Sequence, residues 1–369
     1  MGKLCIKYVE DLPKDFVMKG IIASTLHRNC GVGQYTEKLA QHLQHKVGDL
    51  QVFRKDHSDE KLFFTYPYRS LRSLQHHVAP YFLSKKIKNL EADIWHADYL
   101  GASYGMELAH IKQPKVVTVH DAIPFHYPGS KLDFAIYKFQ LKEAIRNAKS
   151  LLVVSEAARQ DLIQQTGVAP HRVIAIPNGL PFDELSTHSK ENEKFTIRYI
   201  GGLGAPHKNV KLLLYAAKIL EDRKYNFSLE LGGFVPKEFY LKDLAQKLGL
   251  TSVQFVGFVP DEEKAQFLGS ADLFAYPSLI EGFGFPPMEA MACGTATITT
   301  NIPVFQELLG RSVAMVDPMP EAFAMEIESL MKQENLRKDF EFKGLEKVQQ
   351  YTWEKAAEKT MEVYKAAVR

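Results

Sequence analysis

Two kinds of hydrophobic pattern alternate along the second half of the chain. Short runs rich in β-branched and aromatic residues are typical of buried strands, and longer segments with an apolar residue every three to four positions are typical of helices. This alternation predicts a parallel sheet covered by crossover helices. The predicted strands are 195–200, 227–231, 253–257, 273–277, 296–300 and 313–316, with helices such as 210–223 and 262–271 between them.

The first half repeats this alternation less regularly. Residues 178–194 carry turn-forming and charged residues without an apolar period, which predicts a linker. We therefore expect an α/β protein with two doubly wound, Rossmann-like domains, 1–182 and 190–351, that face each other across a ligand-binding cleft. The final amphipathic helix, 352–369, could pack back on the first domain. Strands are predicted at 4–9, 93–97, 115–121, 150–155 and 172–177, and helices at 35–46, 134–148 and 157–167.

Composition is that of a soluble globular protein. Of the 369 residues, 46% are hydrophobic and 24% are charged. No apolar run approaches the ~20 residues of a transmembrane helix, and the first residues lack a secretory pattern. Cys5, Cys30 and Cys293 are too sparse for a disulfide framework, which favours a reducing, cytoplasmic location. Without CxxC, HExxH or paired-Asp motifs, no metal site is expected.

Residues 278–298, SLIEGFGFPPMEAMACGTATI, contain the strongest candidate chemistry. Glycines allow the backbone to approach a ligand, and Pro286-Pro287 is typical of a helix start, where anions such as phosphate bind. Glu281 and Glu289 could both accept hydrogen bonds from the hydroxyls of one sugar ligand. The alternative is that both acids are solvated surface charges, and the pattern alone does not decide between the two.

The segment resembles the acid-seven-residues-acid motif of retaining glycosyltransferases of family 4, which have the GT-B fold. Further segments are similar to that family and follow in its order over most of residues 30–350. These segments are GVGQYTEKLAQHL (31–43), VTVHDAIPFHYP (117–128), VVSEAARQDL (153–162), VIAIPNGL (173–180) and YIGGLGAPHKN (199–209).

The resemblance implies roles for the residues of the motif. Glu289 would bind the ribose hydroxyls of a nucleotide sugar, and Glu281 would contact the transferred sugar near its reacting end. Backbone N–H groups of Phe283 and Gly284 would hold the other hydroxyls of that sugar. Lys208 would neutralise the diphosphate as the glycosidic bond breaks, although a lysine at a helix start is otherwise an ordinary surface residue.

The resemblance also implies roles outside the motif. Gly31 and Gly33 would open a loop near the phosphates and the acceptor, although a lone Gly-x-Gly is usually only a turn. Val256 and Phe258 would border the nucleobase, with core packing as the alternative. His120 would face the donor sugar from a strand end, where a structural histidine is the alternative.

One departure from the family pattern concerns the diphosphate. Many members carry an arginine at the position of Gly202, on the donor side, and another at the position of His207. Only Lys208 therefore remains as a clear partner for the diphosphate. Asp121 follows His120 and could also be a simple turn cap.

The implied activity is transfer of a hexose from a nucleotide-diphosphate sugar to a glycan or lipid-linked acceptor. The family is thought to retain anomeric configuration by a front-face route without a metal, and double displacement would need Glu281 as the nucleophile. No cofactor is expected beyond the donor substrate itself. The forms GVGQY and HDAIP that these two motifs take here favour GDP-mannose as the donor, and UDP-glucose and other UDP-sugars stay open as alternatives.

Two other functions compete with this interpretation. An NAD-dependent oxidoreductase would need G-x-G-x-x-G between a strand and a helix, and GVGQYT lacks the third glycine. A non-catalytic sugar-nucleotide-binding module would not need the acid pair together with Lys208 and His120. Incubation of the protein with labelled nucleotide sugars would separate the three classes, because only a glycosyltransferase would hydrolyse or transfer the sugar.

The charge distribution suggests an acceptor at a membrane. Residues 1–180 carry a net charge of +7 and residues 181–369 a net charge of −5, and no nucleic-acid motif accompanies the basic half. Residues 61–90 hold six Lys and Arg, six Phe and Tyr and no acid, a composition suited to an anionic membrane surface. The alternatives are a basic surface helix with buried aromatics, or a site for an anionic soluble acceptor.

Overall fold

The computed structural model describes residues 17–27, 30–54, 62–65, 75–235 and 239–369, with side chains of the helix that begins at Gln75 described from residue 78. The predicted strand 4–9 lies outside the described residues, as does much of the basic segment 61–90.

Within the described residues, the first sheet has seven strands in the order β3-β2-β1-β4-β5-β6-β7. The pairs β1–β2, β1–β4, β2–β3 and β4–β5 are all parallel, as the strand–helix alternation predicts. The strands are β1 (Lys19–Ala23), β2 (Asp49–Arg54), β3 (Phe63–Thr65), β4 (Ile94–Ala97), β5 (Lys115–Thr118), β6 (Ser150–Val153) and β7 (Val173–Ala175).

Three strands of this sheet were not predicted. β1 is a five-residue run in a segment for which no strand was predicted, and β3 has only three residues. β2 reads DLQVFR, and its polar residues hide its strand character although Val52, Phe53 and Arg54 are all buried. The predicted strands 115–121 and 150–155 are confirmed but end earlier, because the chain leaves the sheet after Thr118 and Val153.

In the part of the chain that the structure describes, the second sheet has six parallel strands in the order β10-β9-β8-β11-β12-β13, and all six predicted strands are confirmed. The strand order reverses between β8 and β11, which is the switch point where open α/β sheets bind ligands. The strands are β8 (Phe195–Ile200), β9 (Phe227–Gly232), β10 (Val253–Gly257), β11 (Leu273–Tyr276), β12 (Thr297–Thr300) and β13 (Ala314–Val316).

Helices connect the strands, and residues 178–194 contain neither helix nor strand, as expected for the predicted linker. The helices are α1 (Gly31–Leu43), α2 (Gln75–Ile87), α3 (Leu100–Leu108), α4 (Ile123–His126), α5 (Lys131–Asn147), α6 (Glu156–Thr166), α7 (Lys211–Asp222), α8 (Tyr240–Lys247), α9 (Asp261–Gly269), α10 (Phe285–Ala292), α11 (Pro303–Leu308), α12 (Pro320–Lys332), α13 (Glu334–Val348) and α14 (Trp353–Val368).

The chain divides into two compact units by its internal contacts. Unit 1 comprises the described residues up to Thr118 together with Gln140–Leu151 and Ala357–Arg369, and unit 2 comprises Val119–Phe139 and Leu152–Ala356. Unit 2 therefore includes segments that follow β5 and β6, which the sequence prediction assigned to the first domain. The domain limits 1–182 and 190–351 stay a prediction.

A buried polar network holds the last turns of α14 in unit 1. His96 of β4 lies 2.6 Å from the Tyr364 hydroxyl through Nδ1 and 2.7 Å from the Thr118 hydroxyl through Nε2. The Thr118 and Tyr35 hydroxyls lie 3.0 Å apart, which extends the network to α1. Because His96 and Tyr364 are fully enclosed, each polar atom needs such a partner.

Candidate active site

The carboxyl ends of β8 and β11 form the centre of the candidate site in unit 2. After β8 the chain makes a 3₁₀ turn, Pro206–Lys208, and after β11 it enters residues 277–284. Leu279 N–H donates to the His207 carbonyl oxygen over 2.8 Å, and the Ser278 hydroxyl donates to the same oxygen over 3.2 Å. These bonds hold the two loops side by side.

Lys208 and Glu281 meet where the two loops join. Lys208 Nζ donates to Glu281 Oε1 over 2.6 Å, and the two side chains are only 18% and 8% exposed. Burial acts to lower the pKa of Lys208, but the charge of Glu281 more than offsets it and raises that pKa above its usual value. The predicted catalytic lysine is therefore a charged group at an otherwise buried position.

Tyr276, which the sequence reasoning missed, completes this cluster. Lys208 Nζ donates to the Tyr276 hydroxyl oxygen over 2.9 Å, and Tyr276 is fully buried at the end of β11. Burial, followed by the charge of Glu281, raises the pKa of Tyr276 well above its usual value. An aromatic residue within the apolar run LFAYP is typical of a core position, so the pattern gave no signal for a polar role.

Segments after β5 and β6 support the loop that carries Glu281. A Cβ atom on Gly282 would lie 2.1 Å from the His120 carbonyl oxygen, so only glycine allows this approach. The Ser155 hydroxyl donates to the Gly282 carbonyl oxygen over 2.6 Å and accepts from Ala158 N–H, which caps α6. The His120 backbone thus lies against Gly282, the residue next to Glu281, and the role of the His120 side chain toward the donor sugar stays a prediction.

Asp121 is part of the same environment. Its carboxylate accepts the Ile123 N–H over 3.0 Å, which is the turn-capping role considered from the sequence. Burial, with a smaller contribution from the charge of Glu281, raises the pKa of Asp121 to about 6. Asp121 is therefore a second titratable carboxyl beside Glu281 and Lys208.

Glu289 lies in the second turn of α10 and is paired with a lysine that the sequence reasoning missed. Lys264 Nζ of α9 donates to Glu289 Oε1 over 3.0 Å, and both residues are buried. Burial acts to lower the pKa of Lys264, but Glu289 outweighs it and raises that pKa. Lys264 and Leu268 are one helical turn apart and both buried, a spacing that could have indicated an inward-facing lysine despite the acids before it.

The start of α10 agrees with the predicted helix start, since both prolines lie in its first turn. Gly284 precedes the helix with φ = 90°, and a Cβ there would lie 2.6 Å from the Phe305 ring. The Phe283 side chain is buried against Phe285 and Tyr351. Any contact of residues 283 and 284 with a ligand would therefore come from their backbone.

Val256 and Phe258 lie at the carboxyl end of β10 and are not core residues. They are 43% and 69% exposed and line a cavity of about 320 Å³. Gly257 between them has φ = 82°. The other lining residues are Arg198, Glu230, Val259, Glu263, Gln266, Phe267 and Ser270.

The two positions where many family members carry arginine have different surroundings. Among the described residues, a Cβ on Gly202 would meet only the Ala205 Cβ, at 3.7 Å, so their packing does not require glycine there. The His207 ring lies 5.8 Å from the Tyr127 ring, and burial, with the charge of Lys208, lowers the pKa of His207. The imidazole of His207 is thus a neutral group near neutral pH.

The structure corrects the expected loop at Gly31 and Gly33. Both residues belong to the first turn of α1 in unit 1, which begins after Cys30. A Cβ on Gly31 would meet no atom of the described residues within 4 Å, whereas Gly33 is buried. Both glycines are therefore part of the helix, and they do not open a separate loop.

The described residues contain neither a metal-binding cluster nor a membrane-spanning helix. No group of three or more His, Cys, Asp or Glu side chains in them is arranged to hold a metal ion. None of the helices within those ranges combines the length and the apolar character needed to cross a bilayer.

Family models match both halves of the chain. The model described as Glycosyl transferases group 1 matches residues 182–347, and that described as Glycosyltransferase Family 4 matches residues 30–184. O-antigen chain mannosyltransferase B of Escherichia coli is 26% identical over 73% of this chain and 74% of its own length. O-antigen chain mannosyltransferase RfbU of Salmonella typhimurium is 31% identical over 56% of this chain and 58% of its own length.

Solved structures of glycosyltransferases share the fold. Sucrose-phosphate synthase from Thermosynechococcus elongatus has a TM-score of 0.78 at 18% identity, covering 94% of this chain and 98% of its own. Anabaena HepE, in complex with UDP and glucose, has a TM-score of 0.76 at 19% identity, covering 94% and 100%. The predicted α/β fold of GT-B type, with two Rossmann-like domains, is confirmed.

Proposed function

Because the chain belongs to the group 1 glycosyltransferases of family 4, we propose that it transfers a hexose, with retention of configuration, from a nucleotide-diphosphate sugar to a glycan or glycolipid hydroxyl. The observation that carries this proposal is the buried contact between Lys208 and Glu281 at the switch point of the second sheet. An ammonium group there can stabilise the negative charge of a leaving diphosphate, and the adjacent carboxylate can accept hydrogen bonds from the hydroxyls of the transferred sugar. The Glu289 carboxylate can accept hydrogen bonds from the ribose hydroxyls.

The proposed reaction breaks the bond between the anomeric carbon and the diphosphate oxygen. Lys208 stabilises the negative charge that develops on that oxygen. The acceptor hydroxyl attacks from the face that the diphosphate leaves, and its proton passes to the departing phosphate oxygen. The new glycosidic bond then has the configuration of the old one, and this route requires no metal ion.

Mannose from GDP-mannose is the proposed donor group. Both relatives described above are named mannosyltransferases, which supports mannose, whereas the more distant HepE was crystallised with UDP and glucose. Thermal unfolding with GDP, UDP and ADP tests the base: we expect the largest rise in Tm with GDP, because a ligand that binds only the folded state stabilises it. A larger rise with UDP would contradict the proposed donor.

Turnover of the bound sugar tests the reaction. With labelled GDP-mannose, we expect Lys208→Ala and Glu281→Ala to reduce the rate of mannose transfer, or the slow rate of donor hydrolysis, far more than they reduce the affinity for the nucleotide. Lys211→Ala is the control, since Lys211 is an exposed lysine three residues beyond Lys208. Normal turnover in both site variants, with folding intact, would overturn the assignment.

We further propose that the acceptor is lipid-linked and that α2 contacts an anionic membrane. In the described part of the segment, Lys85, Lys86 and Lys88 are exposed, and Tyr81 is half exposed with the Lys85 ammonium 4.4 Å above its ring. Leu83 and Ile87 are buried, so α2 presents a basic face with one aromatic ring to solvent. Each basic residue near an anionic surface contributes about 1 kcal/mol of attraction.

Sedimentation with anionic and neutral vesicles tests this surface. We expect binding to anionic vesicles at low salt, weakened by high salt and by Lys85→Ala, Lys86→Ala and Lys88→Ala together. The charge-matched control replaces three exposed lysines of unit 2, Lys211, Lys242 and Lys247, with alanine. Equal binding by the two triple variants would exclude α2 as the contact surface.

A further inference from the structure

We propose that the Tyr276 hydroxyl positions the Lys208 ammonium so that one of its N–H groups points to the diphosphate. The inference rests on the proposed function and adds a residue to it. Lys208 Nζ donates to the Tyr276 hydroxyl over 2.9 Å and to Glu281 Oε1 over 2.6 Å. Tyr276 is thus a positioning residue, which acts on the donor through Lys208.

The position of the Tyr276 hydroxyl is fixed by the packing of its ring. The ring stacks on Tyr199, with centroids 5.5 Å apart and an angle of 16°, and on Phe274 at 6.0 Å. Phe305 packs edge-on at 6.1 Å. A fully buried ring held by three aromatic neighbours does not change rotamer readily, so its hydroxyl is a rigid acceptor.

The Lys208 ammonium keeps one hydrogen-bond donor for a ligand. A lysine ammonium has three N–H donors on a flexible stem. Tyr276 and Glu281 take two of these donors from two directions, which leaves one donor for an anionic oxygen. Because Lys208 is still 18% exposed, that donor can reach a ligand from solvent. The hydroxyl carries no charge, so it orients the ammonium without competing for it as a second carboxylate would.

Tyr276→Phe removes this contact and keeps the ring. Without the hydroxyl, Glu281 alone holds Lys208, and the ammonium is free to turn away from the diphosphate. We expect kcat to fall about tenfold, as for the loss of one hydrogen bond to a charged group, with Tm nearly unchanged. Affinity for the nucleoside diphosphate should fall several-fold, whereas affinity for the nucleoside should stay within about twofold, because only phosphate-dependent binding uses Lys208.

Tyr199→Phe is the matched control. Tyr199 lies on the neighbouring strand β8 and stacks on Tyr276, and its buried hydroxyl has no hydrogen-bond partner among the described residues. The same one-atom change there should leave kcat and both affinities unchanged. An equal loss in the two variants, or no loss in Tyr276→Phe, would overturn the inference.

A double-mutant cycle supplies a second, independent test. In a Lys208→Met background, there is no ammonium to position, so adding Tyr276→Phe should change kcat by less than about twofold. The Tyr276 hydroxyl also hydrogen-bonds to the Glu281 carboxylate. A further tenfold loss in the Lys208→Met background would show that Tyr276 acts through Glu281 and not through Lys208, which would overturn the inference. If the unmodified protein binds neither GDP nor UDP, the proposed function fails and this inference falls with it. If the unmodified protein binds and turns over donor while Tyr276→Phe matches it, only the inference fails.

Discussion

Each acid of residues 278–298 is paired with its own lysine. Glu281 lies beside Lys208, and Glu289 lies beside Lys264. A buried carboxylate is costly unless a nearby cation and hydrogen bonds compensate it, so each lysine keeps its acid available as a charged acceptor. The acids and Lys208 could be predicted from the sequence, because they stand in a recognisable order. Lys264 was missed, because it follows Asp261, Glu262 and Glu263 and looks like a surface residue.

The Lys264–Glu289 pair gives a prediction on donor binding. Lys264→Met keeps the side-chain length but leaves Glu289 buried without its cation. We expect the KM for the donor to rise about tenfold or more, with kcat much less affected, because the ribose carboxylate acts in ground-state binding. Lys264→Arg should restore part of the affinity. A KM unchanged in Lys264→Met would show that Glu289 binds no ribose or needs no support from Lys264.

An arginine in place of Gly202 should strengthen the binding of a nucleoside diphosphate. Since only Ala205 lies near its Cβ position, Gly202→Arg should fold normally and add a cation beside the diphosphate site. We expect tighter nucleoside-diphosphate binding with little change for the nucleoside, measured by calorimetry at low and high salt. Equal gains for both ligands would mean that the new arginine does not meet the phosphates.

At the scale of elements, the site depends on loops held by segments distant in sequence. The Gly282 backbone packs on the His120 carbonyl and accepts a hydrogen bond from Ser155, which also caps α6. Glu307 of α11 accepts the N–H groups of Glu156 and Ala157 at the same helix start. Sequence patterns predicted most of the strands and several of the helices, but not these contacts, because the contacts join residues more than a hundred positions apart.

Gly282→Ala tests this support. The added Cβ would lie 2.1 Å from a backbone oxygen, so the loop must shift and carry Glu281 with it. We expect a loss of about 1–3 kcal/mol in unfolding free energy and a larger relative loss of kcat. Gly129→Ala is the control, because a Cβ there meets nothing closer than 3.9 Å. Denaturant titration and initial-rate assays supply both quantities, and unchanged kcat in Gly282→Ala would contradict the role of this loop.

At the scale of the whole molecule, two carboxyls link folding to pH: that of Asp98, which is buried, and that of Asp121, which is half-buried. Burial raises the pKa of Asp98 to about 7 and that of Asp121 to about 6. Unfolded aspartates lose their protons near pH 4, so between about pH 4 and pH 7 the folded chain binds more protons than the unfolded chain. The contribution of these groups to stability is therefore largest at low pH and falls as pH rises through that window.

Asp98→Asn isolates this effect. The variant keeps an acceptor for the Thr36 hydroxyl, which lies 2.6 Å from Asp98 Oδ2, but cannot ionise. We expect the unfolding free energy of this variant, relative to that of the unmodified protein, to increase by on the order of 2–4 kcal/mol as the pH rises from 4.5 to 8. Asp49→Asn, at a half-exposed site, is the control substitution. A difference that is constant with pH would show that Asp98 stays ionised in the folded protein.

How far the sequence predicts the whole molecule differs between its halves. All six strands of the second sheet were predicted, since their apolar runs alternate cleanly with helices. In the first sheet, β1 to β3 were missed because β1 and β3 are short and β2 carries polar residues. The segments 119–139 and 152–182 join unit 2, which no local pattern indicates, because the grouping depends on contacts such as that of Gly282 with His120.

The central claim is that Lys208, Glu281 and Glu289 form a nucleotide-sugar donor site. The most direct test is an experimental structure of the protein with whichever of GDP and UDP stabilises it more. The account predicts a phosphate oxygen within about 3 Å of Lys208 Nζ and the ribose hydroxyls within hydrogen-bond distance of the Glu289 carboxylate. A nucleotide bound elsewhere, with both lysine–glutamate pairs untouched by ligand, would contradict it.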